Sequence, residues 1–425
     1  MKRAILQNRI YLDSTPQLVQ KLLEELTYKI PNYRPNLPPK VVSSVRIIND
    51  KVIAIPSGRP DLIPDDYEII DRRNRVPVEF PEFKYTLRES QQQVYDQVNS
   101  DCFINAWTSW GKTFTGLAIA GKLKQKSLII VHTMALRDQW VEECEKVFGF
   151  TPSLIGEGSF DTSMPVTIGS IQTLIRRPKL GYQKTFGTII VDECHHSPAK
   201  SFVTLLDRID AAYKIGLSAS NRRKDGMHIL FNDLFSHTRF TPPKENYMEP
   251  SIDRVHLPIL VPDGIATWAE KMNDLCYNEE YQKTIALMAA TYASKGHKVI
   301  VVSARTKLLE KCHKLTPNSA CVIGKTKNRK EEINKIKTGE AKVLYGSINI
   351  FAEGISVNEL SCMILATPMN NEPLLEQLIG RIIRLHPDKL DPVLVDIILK
   401  GRTMSKQAQL RKGYYMRQGY KMRDI

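Results

Sequence analysis

Five short apolar runs, at residues 102–106, 127–131, 166–168, 188–191 and 214–217, alternate with stretches that suit helices. Few folds accept such a pattern. Strands buried on both faces read as continuous apolar runs, and intervening helices impose parallel crossovers. The pattern predicts an α/β domain built on a parallel sheet. In doubly wound sheets ligands sit beyond the carboxyl ends of the strands. Each run here ends in polar residues, so functional loops are expected there. Beyond Pro242, Pro243, Pro250, Pro258 and Pro262 the pattern recurs at 298–303, 341–345, 363–366 and 393–397. A second α/β domain is expected.

The N-terminal region is patterned differently. Residues 4–13 read as a strand, and Ser14-Thr15-Pro16 offers an N-cap and a first-turn proline to a helix with Leu18, Leu22 and Leu26 on one face. After a proline-rich break at 31–39, strand-like runs at 41–48 and 52–55 complete a small α+β unit. The expected division is 1–82 as an accessory, DNA-binding candidate domain and 83–245 as the first α/β domain. A connector at 246–274, a second α/β domain at 275–400 and a basic tail at 401–425 follow. The tail holds seven Lys/Arg against one Asp, interleaved with Tyr414, Tyr415 and Tyr420. It suits phosphate and base contacts, or equally a terminal helix whose tyrosines pack on the second domain.

A chain of 425 residues with 42% hydrophobic and 25% charged content is expected to bury substantial cores. No apolar run approaches the roughly 20 residues of a membrane span. The start, Met1-Lys2-Arg3, turns polar at Gln7-Asn8-Arg9 before a signal core develops, so a cytoplasmic protein is expected, in the host cytoplasm if phage-encoded. Seven scattered cysteines without a C-x-x-C pair read as buried free thiols. A net charge of +14 and a pI near 9.3 predict attraction to a polyanion, whether DNA, RNA or an acidic membrane.

Three segments carry chemistry. The run 102–106 leads into Trp107-Thr108-Ser109-Trp110-Gly111-Lys112-Thr113 and then a helical stretch, the strand–loop–helix context of a phosphate loop. Backbone N–H groups of Thr108, Ser109, Trp110 and Gly111 and the helix N-terminus attract phosphates, Lys112 adds a point charge, and the Thr113 hydroxyl suits Mg²⁺. Ala106 stands where such loops usually begin with glycine, and Ser109 and Trp110 replace smaller residues. The run 188–191 delivers Asp192 and Glu193: one carboxylate to hold Mg²⁺ through water, the other to orient and deprotonate an attacking water. His195 and His196 lack metal-ligand companions and read as coupling or structural residues. Finally, Gln377-Leu378-Ile379-Gly380-Arg381-Ile382-Ile383-Arg384 sets Arg381 and Arg384 three apart on one helical face, suited to a γ-phosphate reached from a neighbouring domain.

Taken in order, these segments resemble the motif set of superfamily 2 helicases. The resemblance covers residues 84–400 and implies two RecA-like domains in tandem that clamp ATP. It places Arg88 and Gln91 in the adenine-reading segment, and Gly354 and Gln377 at the nucleotide. Thr133 and Arg137, Gln172 and Thr173, Arg305 and Ser347 fall on the strand-contacting motifs. Ser218-Ala219-Ser220 stands where S-A-T couples hydrolysis to unwinding. The T-S-W-G-K-T loop, the Leu136-Arg137-Asp138-Gln139-Trp140 segment and Asn221-Arg222-Arg223-Lys224-Asp225-Gly226 look most like the XPB and UvsW group and tailed-phage branch-migration helicases. The implied activity is ATP-dependent remodelling of duplex or branched DNA, alone as a monomer or with replication and recombination proteins. An RNA helicase and a DNA-binding ATP switch with little turnover are the alternatives.

Overall fold

The computed structural model describes residues 2–32, 38–156, 158–177, 181–194, 199–219, 226–264, 267–354 and 357–425. The chain divides into two units, Met1–Pro243 and Lys244–Ile425. The first holds an eight-stranded sheet ordered Ser159–Phe160, Ser153–Gly156, Val166–Ser170, Ser127–Val131, Thr188–Val191, Tyr213–Ser218, Cys102–Asn105 and Arg239–Phe240. Only the outermost pairing, Ser153–Gly156 with Ser159–Phe160, is antiparallel. Phe103, Leu128, Ile130, Ile189 and Val191 join its core. The apolar runs thus become central strands because the helices between them cover both faces.

The second unit is a seven-stranded, wholly parallel sheet: Ser319–Val322, Val343–Ser347, Val299–Ser303, Cys362–Leu365, Val393–Lys400, Ser251–Leu260 and Lys421–Asp424. Two segments differ from expectation. The supposed connector contributes Ser251–Leu260 as a strand between Val393–Lys400 and Lys421–Asp424, and the helix Trp268–Tyr277 places Met272, Leu275 and Cys276 in the core. Pro258 misled the sequence reading. It falls in the register break between His256 and Leu260, where a residue without an N–H is tolerated. The basic tail is likewise integral. Helix Arg402–Arg417 buries Met404, Tyr414 and Tyr415, while Arg411 and Asp396 pair at 2.8 Å with side chains 3% and 1% exposed. Of the tail's two readings, packing on the second unit is the one observed. Six of the seven cysteines are buried, and all are free. Among the described residues, no helix is long and apolar enough to cross a membrane.

The accessory region forms its own five-stranded sheet, Arg46–Asn49, Val52–Pro56, Arg9–Asp13, Lys2–Leu6 and Tyr67–Asp71. Where one strand was expected over 4–13, the chain folds back through Gln7-Asn8 into an antiparallel pair. The run 41–48 likewise divides into Lys40–Ser43, which pairs with Thr27–Ile30, and Arg46–Asn49. Thr15 caps the helix Pro16–Glu25 by accepting from Leu18 N, and Leu22 and Leu26 fill the small core.

This sheet is joined to the larger one through buried charges. The Arg9 guanidinium donates to both Asp207 carboxylate oxygens at 3.0 and 3.1 Å, and Arg46 also pairs with Asp207. Lys214, fully buried on the strand Tyr213–Ser218, donates to Ser57 Oγ at 2.9 Å and the Asn8 carbonyl at 3.3 Å. Asp233 accepts from Tyr28 and Ser44. Burial pushes the Lys214 ammonium and the Arg9 guanidinium below their usual ranges, and the neighbouring carboxylates oppose that shift. Breaking a buried pair strands the other charge. Asp207→Ala is therefore expected to cost about 3–5 kcal/mol, measured by chemical denaturation of the full chain.

Candidate nucleotide site

The strand Cys102–Asn105 ends one residue before the loop, and its neighbour fixes that end: Ala106 N donates to the Ser218 carbonyl at 3.0 Å. The loop turns through left-handed backbone at Ser109 (φ 81°) and Gly111 (φ 92°), and Gly111 caps the helix Lys112–Leu123. A side chain at Gly111 would also displace the Gln91 amide. A Cβ there would meet Gln91 Nε2 at 2.6 Å.

Trp110, the residue that departs most from ordinary phosphate loops, is fully buried. Its indole N–H donates to Ser90 Oγ at 2.8 Å, and its carbonyl accepts from Gln91 Nε2 at 2.7 Å and from the Arg88 guanidinium. Gln91 Oε1 accepts from Arg88 N at 3.0 Å. The residues expected to read adenine therefore hold the phosphate loop. In this state both ends of the Gln91 amide are engaged by protein. Trp107 donates to the Pro243 carbonyl at 3.3 Å, and the buried Thr108 hydroxyl has no protein partner.

The two carboxylates expected to be catalytic, Asp192 and Glu193, lie beside this loop. Lys112 Nζ lies 3.5 Å from Glu193 Oε1 and donates to the Ala106 carbonyl at 3.2 Å. Asp192 is buried, and Glu193 adopts left-handed backbone at φ 45°. Asp192 Oδ2 accepts the Trp140 indole N–H at 2.7 Å, and Oδ1 accepts Glu193 N at 2.9 Å. Burial, then the charge of Glu193, pushes the Asp192 carboxyl up to about 6. Thr113 Oγ1 accepts from Gln139 Nε2 at 2.9 Å. One hydroxyl and two carboxylates beside an ammonium form an oxygen-rich set that fits Mg²⁺, a cation that prefers oxygen ligands and keeps several waters.

The sequence assigns no role to Gln139, Trp140 or Ser90, although Gln139 and Trp140 lie within the segment Leu136-Arg137-Asp138-Gln139-Trp140. The available signal was a lone tryptophan in the polar stretch Arg137-Asp138-Gln139-Trp140-Val141-Glu142-Glu143. Thr133 caps the helix Met134–Phe148, its hydroxyl accepting from Leu136 N at 3.2 Å. Arg137 is paired with Asp138. Gln172 Nε2 donates to the His132 carbonyl at 3.0 Å, and Thr173 lies on the same short helix, Ile171–Arg176. Ser218 is buried at its strand end. Ser220, His195, His196 and residues 221–225 lie outside the described residues.

In the second unit, Arg381 and the buried Gln377 lie on the helix Glu372–Ile382. Arg384 falls beyond that helix, so the two arginines do not share a helical face. Its backbone forms a bridge with Tyr247, and its guanidinium donates to Asn358 Oδ1 at 3.1 Å. Burial, followed by the nearby Arg381 charge, pushes the Arg384 guanidinium down to about 9. Lys389, which donates to the Arg384 carbonyl at 2.9 Å, is pushed down to about 8 by burial and by Arg384. Such desolvated cations favour an anion. Arg305 occupies the position before the helix Thr306–Lys314 without a side-chain cap bond, Ser347 ends the strand Val343–Ser347, and Gly354 ends the helix Ile348–Gly354.

Two RecA-like parallel sheets, the first carrying a phosphate loop beside an Asp-Glu pair, define an ATP-dependent helicase core. Residues 84–223 match the family described as type III restriction enzyme, res subunit, and residues 280–386 match the helicase conserved C-terminal domain. "Probable helicase D10" of Escherichia phage T5 is 37% identical over 99% of this chain and 95% of its own length. "ATP-dependent DNA helicase uvsW" of Enterobacteria phage T4 is 26% identical over 75% of this chain and 69% of its own. "DNA 3'-5' translocase XPB2" of Sulfurisphaera tokodaii is 23% identical over 72% and 79%. The fold resembles a fragment of an HsdR subunit of a type I restriction enzyme from Vibrio vulnificus, with a TM-score of 0.60, 18% identity and coverage of 81% and 69%. The chain belongs to the superfamily 2 helicases, in one family with the phage T5 protein, and is similar to the UvsW and XPB2 proteins.

Trp110→Phe keeps most of the ring volume but removes the donor to Ser90. It is expected to cost about 1 kcal/mol of stability, the usual worth of one such bond, read by urea denaturation, and to weaken ATP binding in equilibrium titration.

Proposed function

We propose that this chain is an ATP-driven DNA translocase that remodels branched DNA, such as forks, Holliday junctions and R-loops. The observation that carries the ATPase reading is the convergence of Lys112 with Glu193 at 3.5 Å beside Thr113 and Asp192. Lys112 binds the β/γ-phosphate oxygens, and Glu193 orients a water and takes its proton. Thr113 and Asp192 would hold Mg²⁺, which would supply positive charge to neutralise the phosphates. By the resemblance to superfamily 2 helicases, Arg381 and Arg384 would stabilise the transferring phosphoryl group and Gly354 and Gln377 would join nucleotide recognition, while Arg88 and Gln91 would read adenine on release from Trp110.

DNA is proposed as the track because the T4 and Sulfurisphaera relatives are named DNA enzymes, although a mimivirus relative is named an RNA helicase, and the +14 charge supports a polyanionic partner. Thr133, Arg137, Gln172, Thr173, Arg305 and Ser347 grip the strand, and Ser218 and Ser220 pass hydrolysis on to movement. Melting a base-pair step costs a mean of about 1.4 kcal/mol in stacking, whereas branch migration re-forms one pair for each it breaks. On such a substrate ATP mainly supplies direction. Phosphate tracking makes binding tolerant of sequence and sensitive to salt. The working form in this reading is a monomer in the cytoplasm, that of the host if the chain is phage-encoded, meeting replication or recombination proteins there.

Lys112→Ala, Glu193→Gln and Arg384→Ala are each expected to abolish DNA-stimulated phosphate release with circular dichroism unchanged; turnover persisting in all three would overturn the site. Forked DNA and four-way junctions are expected to stimulate hydrolysis more than linear duplex, single strands or RNA duplex. Strongest stimulation by RNA duplex would make the chain an RNA helicase, and ATP binding without phosphate release would make it a clamp.

A further inference from the structure

The helix Met134–Phe148 touches both oxygen ligands proposed for Mg²⁺ through two consecutive side chains. Gln139 Nε2 donates to Thr113 Oγ1 at 2.9 Å, and Trp140 Nε1 donates to Asp192 Oδ2 at 2.7 Å. Successive residues on a helix project about 100° apart, so the pair straddles the phosphate-loop helix and the carboxylate strand. Trp140 is fully buried, and its ring lies so close to Gly116 that a Cβ there would meet it at 2.8 Å. An indole has a single donor and no acceptor. With the ring clamped against Gly116, that donor is committed to Asp192, whose other oxygen accepts Glu193 N. The carboxylate is thereby fixed in rotation.

We propose that Gln139 and Trp140 are positioning residues for the metal-holding groups Thr113 and Asp192. Through their shared helix, they make the geometry of those groups depend on the strand-gripping end at Thr133. The inference rests on the ATPase reading above. Thr133 caps the helix and Arg137 lies one turn in, both at positions assigned to the nucleic-acid strand. Six residues at 1.5 Å rise separate Thr133 from Gln139, about 9 Å along the axis. A strand that seats or tilts this helix therefore reaches the two supports directly, without relay through the sheet.

Gln139 and Trp140 touch neither nucleotide nor water in this scheme; they act through the hydroxyl and carboxylate they hold. Partners that orient metal ligands typically account for 10–100-fold in metal affinity or activity. The test is Mn²⁺ binding, followed by electron paramagnetic resonance, to the full chain with a non-hydrolysable ATP analogue. Trp140→Phe keeps a ring and removes the donor; Gln139→Met keeps the length and removes the amide. Each is expected to weaken Mn²⁺ binding at least 10-fold while metal-free binding of the analogue stays within twofold. A single-stranded oligonucleotide is expected to tighten Mn²⁺ binding in the wild type and not in the variants. A purely structural role would lower the melting temperature and leave Mn²⁺ affinity at the wild-type value, overturning the proposal. If Trp140→Phe does not fold, Gln139→Met decides it alone. A wild type that binds no Mn²⁺ at all would overturn the metal site and this inference together, whereas wild-type binding with unaffected variants would overturn the inference only.

Discussion

Parallel pairing of three strands, Thr188–Val191, Tyr213–Ser218 and Cys102–Asn105, is the constraint on which the first unit depends. Parallel strands deliver their carboxyl ends to one edge, so the Asp192-Glu193 pair, Ser218 and the phosphate loop emerge side by side. The bond from Ala106 N to the Ser218 carbonyl locks that edge where the strand becomes loop. Charges that would repel or hydrate separately in an unfolded chain are thereby held within a few ångströms, and Lys112 partly offsets the carboxylates beside it. Desolvation of Asp192 is tolerated because both its oxygens find donors, Trp140 Nε1 and Glu193 N.

The same sheet organises what lies beyond the nucleotide. Lys214, the second residue of the strand that ends at Ser218, is buried against Asn8 and Ser57 of the accessory region. The accessory region is therefore not an appendage tied on by a flexible linker. Its hairpin residues complete a polar seam whose other members, Asp207 and Asp233, belong to the ATP-binding unit. A buried ionic seam is costly to form but specific in geometry. It fixes the accessory sheet to the body that carries the phosphate loop, because either set of charges buried without the other would be left uncompensated.

Tryptophan has an unusual place at this nucleotide site. Trp107, Trp110 and Trp140, three of the four in the chain, have indole N–H groups bonded to Pro243, Ser90 and Asp192 respectively. Each couples a large buried surface to a single directed bond. Small residues usual in phosphate loops leave the loop's position to its backbone. Here Trp110 anchors it to the segment bearing Arg88 and Gln91, so the substitution that weakened the motif in sequence is explained by a bond the sequence did not show.

The sequence by itself determined the class of fold and the main chemical groups. Apolar runs of strand length, a strand–loop–helix ending in Gly111-Lys112-Thr113, and the Asp192-Glu193 pair at a strand end are local patterns, encoded within a few residues of one another. Only the tertiary structure decided how they are held. That Trp140 reaches Asp192 across 52 positions, that Gln91 holds Trp110 rather than standing open, and that residues 251–260 and 421–424 complete the second sheet are outcomes of packing between distant segments. Arg384 leaving its helix belongs with them, because its backbone bridges to Tyr247 instead of continuing the helical ladder. Periodicity and caps specify elements through bonds three or four residues apart, whereas the partner of a buried donor is set by which surfaces meet when the cores close.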